Sequence, residues 1–139
     1  MPSESPDPQR IALGIRQPWA ELILRGIKTL EVRTTDTAVR GTIYLYASKQ
    51  LSSLPAAAEV ATAHGLELDR LPRGVLVGTA DLVGSRPTSA ADVEPSCVPA
   101  ELLSGRFGWS FANPQRLESP LVPRFIPYGI WFYPFRRRA

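Results

Sequence analysis

A glycine followed almost at once by strict alternation limits what this chain can build. The stretch is Gly26-Ile27-Lys28-Thr29-Leu30-Glu31-Val32-Arg33. Gly26 is a natural helix stop, because glycine takes the left-handed cap conformation without strain. Beyond it, apolar Leu30 and Val32 alternate with polar Thr29, Glu31 and Arg33. Successive side chains of a strand face opposite sides. The pattern therefore predicts a strand over residues 29–34, with Leu30 and Val32 in a core and the polar three sharing the other face. Lys28 stands at the start of that strand. A helix is thus handed directly to a strand, and a cation, an anion and a second cation follow in close succession. Such a face is either a solvated surface or the floor of a polar cleft.

The flanking sequence supplies the partners. Residues 11–15 form a short apolar run and a first strand. Pro18 suits the first position of a helix, where its missing N–H costs nothing. That helix runs to about Arg25, with Trp19, Leu22, Ile23 and Leu24 as its buried stripe. Residues 41–48 give the clearest strand, with Ile43, Leu45 and Ala47 on one face and Tyr44, Tyr46 and Ser48 on the other. The two tyrosines are expected as exposed aromatics. An alanine-rich surface helix follows over 53–64, capped by Ser53 and stopped by Gly65. Residues 74–85 form a long strand in which Gly78 marks a bulge or sharp bend. Residues 88–104 are irregular, with helical turns near 89–93 and 99–103. A strand over 107–111 ends at a turn made by Asn113-Pro114. Short edge fragments at 116–117 and 121–122 and a last strand over 128–135 complete the chain.

Strands separated by turns, helices early in the chain and 14 prolines predict an α+β fold. Its centre is a small mixed, mainly antiparallel barrel, closed or half-closed, with a few flanking helices. The length of 139 residues suits one domain, placed at 10–135. Residues 1–9 are rich in proline, serine and acids and read as a disordered tail. Residues 136–139 read as a basic tail. No apolar run approaches the roughly 20 residues of a membrane helix, and the start of the chain lacks the pattern of a signal peptide. A cytoplasmic monomer is expected. A single cysteine excludes an internal disulfide and a thiolate cluster, and a single histidine excludes a multi-histidine zinc site. No metal and no cofactor are expected. Cys97 reads as a partly buried loop residue. The formal charge of +3 permits an anionic partner such as RNA without demanding one.

The pattern Gly26-x-Lys28-x-x-Glu31-x-Arg33 resembles the signature of the ASCH family, named for its homology to a domain of the activating signal cointegrator. Residues 15–20 (Ile-Arg-Gln-Pro-Trp-Ala) resemble the family's opening, and residues 41–49 its next strand. Gly108-Trp109, Asn113-Pro114 and Gly129-Ile130-Trp131 are similar to its C-terminal half. The resemblance implies a PUA-like β-barrel with a cleft beside the signature, and a ligand that is RNA or nucleotide-like. Some small bacterial members hydrolyse N4-acetylcytidine, and ribonuclease activity is known in the family. In the amidohydrolase members the signature lysine is catalytic, which carries over to Lys28. A threonine of those members stands where this chain has Glu31, and it does not carry over, because Glu31 has no nucleophilic hydroxyl.

The residues themselves support three readings. As an RNA- or nucleotide-binding cleft, Lys28 and Arg33 grip phosphate, or Arg33 pins Glu31 by charge-assisted bonds. Glu31 then accepts from an exocyclic amine of a base. Aromatics add stacking worth about 1–3 kcal/mol per base. The ligand-binding set is Gln17, Trp19, Lys28, Thr29, Glu31, Arg33, Tyr46, Ser48, Lys49 and Trp109. As a metal-independent hydrolase, Lys28 is the base and Glu31 the acid or orienting group. A lysine starts near pKa 10.4, and a neighbouring carboxylate raises it further, so a Lys28–Glu31 contact fits a grip better than a base. As an interaction module without ligand chemistry, Glu31 and Arg33 form a surface ion pair worth about 0–1 kcal/mol.

Overall fold

The computed structural model describes residues 5–137. Gly26 takes φ +75° and ends the helix α1 (Trp19–Leu24). The Ile27 N–H donates to Leu22 C=O and the Gly26 N–H to Ile23 C=O, both at 3.0 Å. These are the six-to-one and five-to-two pairs of a glycine-capped helix end. The chain then enters β2 (Leu30–Arg33). The other elements are β1 (Ala12–Ile15), β3 (Gly41–Ala47), α2 (Pro55–Ala63), β4 (Val75–Pro87), α3 (Val93–Ser96), β5 (Phe107–Leu121) and β6 (Trp131–Phe132). Single 3-10 turns lie at Leu68–Arg70, Ala90–Asp92 and Ala100–Leu102. Gly65, at φ +68°, stops α2. The residue before α2 is Leu54, and it makes no side-chain cap.

The six strands form one sheet in the order β2-β5-β4-β3-β1-β6. The β1–β3 pair is parallel, and the others are antiparallel. The long central strands β4 and β5 shift register three times along their length. One shift skips Val77 just before Gly78, the position the sequence marks for a bulge. Gly78 also lies where backbones crowd. A Cβ built there would stand 2.5 Å from the Gln115 carbonyl oxygen and 2.4 Å from a Leu24 methyl.

Three sequence expectations are corrected. Asn113-Pro114 does not turn the chain, and the fragments beyond it are not separate edge strands. Residues 107–121 form one continuous strand, paired with β4 along its length and with β2 over residues 107–110. Asn113 takes φ +51°, and the pairing passes from Asp81↔Ala112 to Thr79↔Gln115, so β5 carries an extra residue there and bends instead of reversing. Asparagine tolerates this left-handed conformation, and its amide donates to Asp81 at 2.9 Å. Second, the last strand is two residues long. Prolines at 123, 127 and 134 remove ladder donors on either side, and residues 122–130 instead form a strap. Third, Tyr44 and Tyr46 are buried, at 0% and 5% exposure. The sheet has a core on both faces. Tyr44, Tyr46, Ala12, Leu76, Leu117 and Phe132 pack together on one side, and the main core with α1 fills the other.

The curled sheet stays open as a hydrogen-bonded ladder, since β2 and β6 are its two ends. Side chains span the gap. Trp109 of β5 stacks on Trp131 of β6 with ring centroids 5.7 Å apart. Arg33 of β2 donates to the Gly14 carbonyl of β1 at 2.9 Å. The result is a half-barrel with three helices. No helix among the described residues is long and apolar enough to cross a membrane.

Two ion pairs fasten the helices to the sheet. Glu21 of α1 accepts both terminal nitrogens of Arg116 of β5, at 2.9 and 2.8 Å, and Arg25 at 2.8 Å. Asp92 accepts both terminal nitrogens of Arg86 of β4 and closes a capping box with Ser89. The ends of the chain also touch the barrel. Of the segment 1–9, Met1–Glu4 lie outside the described residues, while the Asp7 N–H donates to the Tyr44 hydroxyl at 2.9 Å. Of the basic tail, Arg138 and Ala139 lie outside, and the Arg136 guanidinium stands 3.6 Å from the Tyr133 ring centre.

Two expected outcomes follow. Gly78→Ala drives a Cβ into a backbone oxygen and costs about 2–3 kcal/mol, read from the urea midpoint. Gly84→Ala meets nothing closer than 3.9 Å and serves as the mild control; equal midpoints for the two variants contradict this packing. The second concerns acid. The Arg86 guanidinium holds the Asp92 carboxyl at about 2, below its ordinary 3.8. A lowered folded value adds stability that is present above the unfolded value and lost as pH falls through the folded one. The stability advantage of the wild type over Asp92→Asn is therefore full at pH 5 and shrinks between about pH 4 and 2. Denaturant titrations across that range check it, and a pH-independent difference refutes it.

Candidate functional site

The signature octet delivers its charges to one place. Lys28, between the capped helix and β2, is 2% exposed. Its ammonium donates to the Ser96 carbonyl, which ends α3. It stands 3.4 Å from Glu31 Oε1 and 5.0 Å from the Trp19 ring centre. Glu31 is 7% exposed. Its Oε2 accepts from Arg33 Nε at 3.1 Å and from one Arg33 terminal nitrogen at 2.8 Å. That terminal nitrogen is also the donor to Gly14 C=O, and the guanidinium lies over the Trp109 ring at 5.5 Å. The alternation of β2 places Glu31 and Arg33 on the same side, as the sequence predicts, and that side is walled in rather than washed by solvent.

Burial sets the charges of the group. Removal from water pushes the Lys28 ammonium below its ordinary pKa, while Glu31 pulls it upward. Burial by itself would raise Glu31, but the charges and hydrogen bonds of Lys28 and Arg33 overcome it and hold the carboxyl below its usual range. Glu31 is thus an anion clamped between two cations.

Above this floor opens a cleft of about 1210 Å³. Among the sequence candidates, Trp19, Lys28, Glu31, Arg33, Tyr46, Ser48 and Lys49 line it. Gln17, Thr29 and Trp109 stand outside its wall. The buried Gln17 side chain accepts from the Glu21 N–H and donates to Pro72 C=O, so it fastens the start of α1. Thr29 is exposed, and its backbone bridges Pro95 and Phe111. Trp109, 1% exposed, is packed between Arg33 and Trp131, with its indole N–H on Thr35 C=O.

Sequence reasoning passed over other parts of the cleft. Arg16, Arg106 and Ser53 are exposed on its wall, Ser52 is half-buried there, and the strap contributes Val122, Ile126 and Ile130. The proline spacing at 123 and 127 was a legible signal for the strap, because such a segment cannot ladder. Arg16 could have been found from pairing, since it follows directly on Ile15, which lies opposite Ala47 just ahead of Ser48 and Lys49. Cys97 and His64, which nothing in the sequence connects, line a shallow hollow of about 340 Å³. Burial pushes the Cys97 thiol up, the wrong direction for a nucleophile.

Known proteins resemble this chain in sequence and in fold. The family model described as "ASCH domain" matches residues 13–121. The human protein Activating signal cointegrator 1 is 33% identical over 78 residues, which is 51% of this chain and 13% of that protein. The chain therefore spans only a small part of that relative's length. Among solved structures, the ASCH protein of Zymomonas mobilis superposes with a TM-score of 0.60 at 14% identity, covering 91% of this chain and 88% of that one. A serine-to-alanine variant of the same protein gives a TM-score of 0.59 at 14% identity, with 93% and 90% covered. At that identity the likeness concerns the fold. The family match covers most of the chain and includes every residue of the charged floor: the protein belongs to the ASCH domain family.

Proposed function

We propose that the cleft binds the base of a nucleotide or an unstacked base of RNA, in a half-barrel of the PUA-like kind. The observation that carries this reading is the division of labour on Glu31. Its Oε2 is saturated by Arg33, whereas Oε1 has only the Lys28 ammonium at 3.4 Å. The second terminal nitrogen of Arg33, on the side of the guanidinium turned away from Glu31, makes no hydrogen bond among the described residues, and the Arg33 side chain keeps 19% exposure. The floor of the cleft therefore offers one acceptor, Glu31 Oε1, and one donor, the second terminal nitrogen of Arg33. The edges of a nucleobase carry both donors and acceptors, which such groups can meet. The neighbouring Trp19 and Tyr46 and the aliphatic Val32 and Ile130 offer apolar surface for its faces.

Lys28 supports a grip rather than proton transfer. Its three hydrogens have destinations in the Ser96 carbonyl, the Glu31 carboxylate and the face of Trp19. A general base needs an unoccupied lone pair, and the ammonium in this setting instead fixes Glu31. The cleft is concave and deep, which favours ligand binding over a flat contact module.

The test uses purified protein and a panel of nucleotides and short unstructured RNAs, with binding followed by calorimetry. Arg33→Ala and Glu31→Gln each weaken binding by about tenfold or more, as expected for charge-assisted bonds of about 1.5–3 kcal/mol. Lys28→Met removes the more deeply buried of the two cations. It leaves Glu31 buried with one cation and lowers stability by about 3–5 kcal/mol, seen as an earlier urea midpoint. Folded Arg33→Ala and Glu31→Gln proteins that bind the panel as tightly as the wild type would sink the reading.

A further inference from the structure

The charges of the cleft are unevenly neutralised. Glu31 is its one acidic lining residue among those described, against Arg16, Lys28, Arg33, Lys49 and Arg106. Lys28 and Arg33 share Glu31 as their counter-charge at the floor. Arg16, Lys49 and Arg106 have no carboxylate within ion-pair distance among the described residues, and all three are exposed.

Two of them meet at one end. β1 and β3 run parallel and end together, with Ile15 opposite Ala47 and the Ser48 N–H on Ile15 C=O at 3.0 Å. Arg16 and Ser48-Lys49 therefore leave the sheet side by side. The following loop is tied back by the Ser52 N–H to Gln17 C=O at 2.9 Å. Arg16 is aimed by a 3.2 Å bond from one terminal nitrogen to Gln50 Oε1. The Lys49 stem lies along Gly74, whose missing side chain leaves the room: a Cβ there would stand 3.3 Å from the stem. The Lys49 carbonyl is held by Arg73 at 3.2 Å. Ser48 and Ser52 line the cleft at the same end. This arrangement joins two cations and hydroxyl donors on a backbone fixed from several sides, and it is displaced from the donor–acceptor pair at the floor. A phosphate wants such a set, namely point charges plus neutral donors without a competing carboxylate.

We propose that the end of the cleft made by Arg16, Ser48, Lys49 and Ser52 is a phosphate subsite, so that the ligand is a phosphorylated nucleotide unit rather than a free nucleoside. This rests on the base-binding reading of the floor and adds to it a second contact of different chemistry. The phosphate belongs either to a free nucleotide or to the backbone of an RNA strand; the chemistry at Arg16 and Lys49 is the same.

The test compares a nucleoside, its 5′- and 3′-monophosphates, a dinucleoside monophosphate without terminal phosphate, and inorganic pyrophosphate. Binding is measured to the wild type and to the Arg16→Ala/Lys49→Ala double variant at low and moderate salt. In the wild type the phosphorylated ligand binds about tenfold tighter than its nucleoside, the yield of one or two charge-assisted bonds. The gain shrinks as salt rises. In the double variant the ratio of the two affinities falls to about one. A gain for the monophosphates alone assigns a terminal phosphate; a gain for the dinucleoside monophosphate as well assigns the strand backbone. Equal affinity for nucleoside and nucleotides in the wild type overturns the subsite while the floor reading stands. Pyrophosphate binding that disappears in the double variant, without any nucleoside binding, upholds the subsite and overturns the floor reading. Binding of no member of the panel overturns both.

Discussion

The buried carboxylate of Glu31 is the point from which the rest of the architecture can be reasoned. Taking a carboxylate out of water costs several kcal/mol, and Glu31 is 7% exposed. It remains an anion because Lys28, just ahead of β2, and Arg33, on it, flank it. Each cation is committed elsewhere as well. Lys28 reaches the Ser96 carbonyl at the end of α3, and Arg33 reaches the Gly14 carbonyl of β1. One carboxylate thus couples a helical turn, the edge strand β2 and the far side of the sheet. Those last two are the regions that a curled but unclosed sheet leaves without a backbone ladder between them.

That coupling explains how a half-barrel holds its shape. The ladder ends at β2 on one side and β6 on the other, and the gap is bridged by Arg33 and by the Trp109–Trp131 stack. Curvature is built into the middle of the sheet by register shifts in β4 and β5. Gly78 permits close approach of β5 there, and Asn113 takes up an extra residue. Both faces of the sheet are then covered, so an interruption of alternation by tyrosine does not mean an exposed face. A phenol can enter a core when its hydroxyl finds a partner, and the Tyr44 hydroxyl accepts from the Asp7 N–H.

What was legible in the sequence followed local rules. Gly26 as a cap, the alternation of β2 and β3, the bulge near Gly78 and the helical turns near 89–103 each depend on a few neighbouring residues, and each is present. What was illegible depended on distant partners. Asn113-Pro114 is a strong turn signal, yet β4 pairs with β5 on either side of it, at Ala112 and Gln115, and carries the strand through as a bulge. Tyr44 and Tyr46 look like a wet face until Leu117 and Phe132 arrive from far along the chain. The site divides in the same way. Lys28, Glu31 and Arg33 lie within six consecutive residues and were readable together, whereas Arg16 and Lys49 meet because two strands pair in parallel, and Arg106 and the strap reach the cleft through the curl of the sheet. Gln17 and Trp109 drew notice as polar and aromatic residues near a signature. Their hydrogen bonds and packing give them work inside the fold instead.

The floor of the cleft is held from behind as well as from the sides. Arg86 on β4 grips Asp92 with two hydrogen bonds, and Asp92 closes the capping box on Ser89. That box starts the short helical segment whose far end presents the Pro95 carbonyl to the Thr29 N–H and the Ser96 carbonyl to Lys28. The order of support runs from a half-exposed guanidinium to a buried ammonium, and from there to the carboxylate at the floor of the cleft. Each link is a charged or backbone hydrogen bond whose geometry is fixed by the one before it. A ligand-binding carboxylate needs its position held to about half an ångström, and a flexible four-carbon lysine stem cannot supply that alone. The rigidity comes from the turn behind it, which is why residues 86–96, remote from the mouth of the cleft, belong physically to the same device as the octet 26–33.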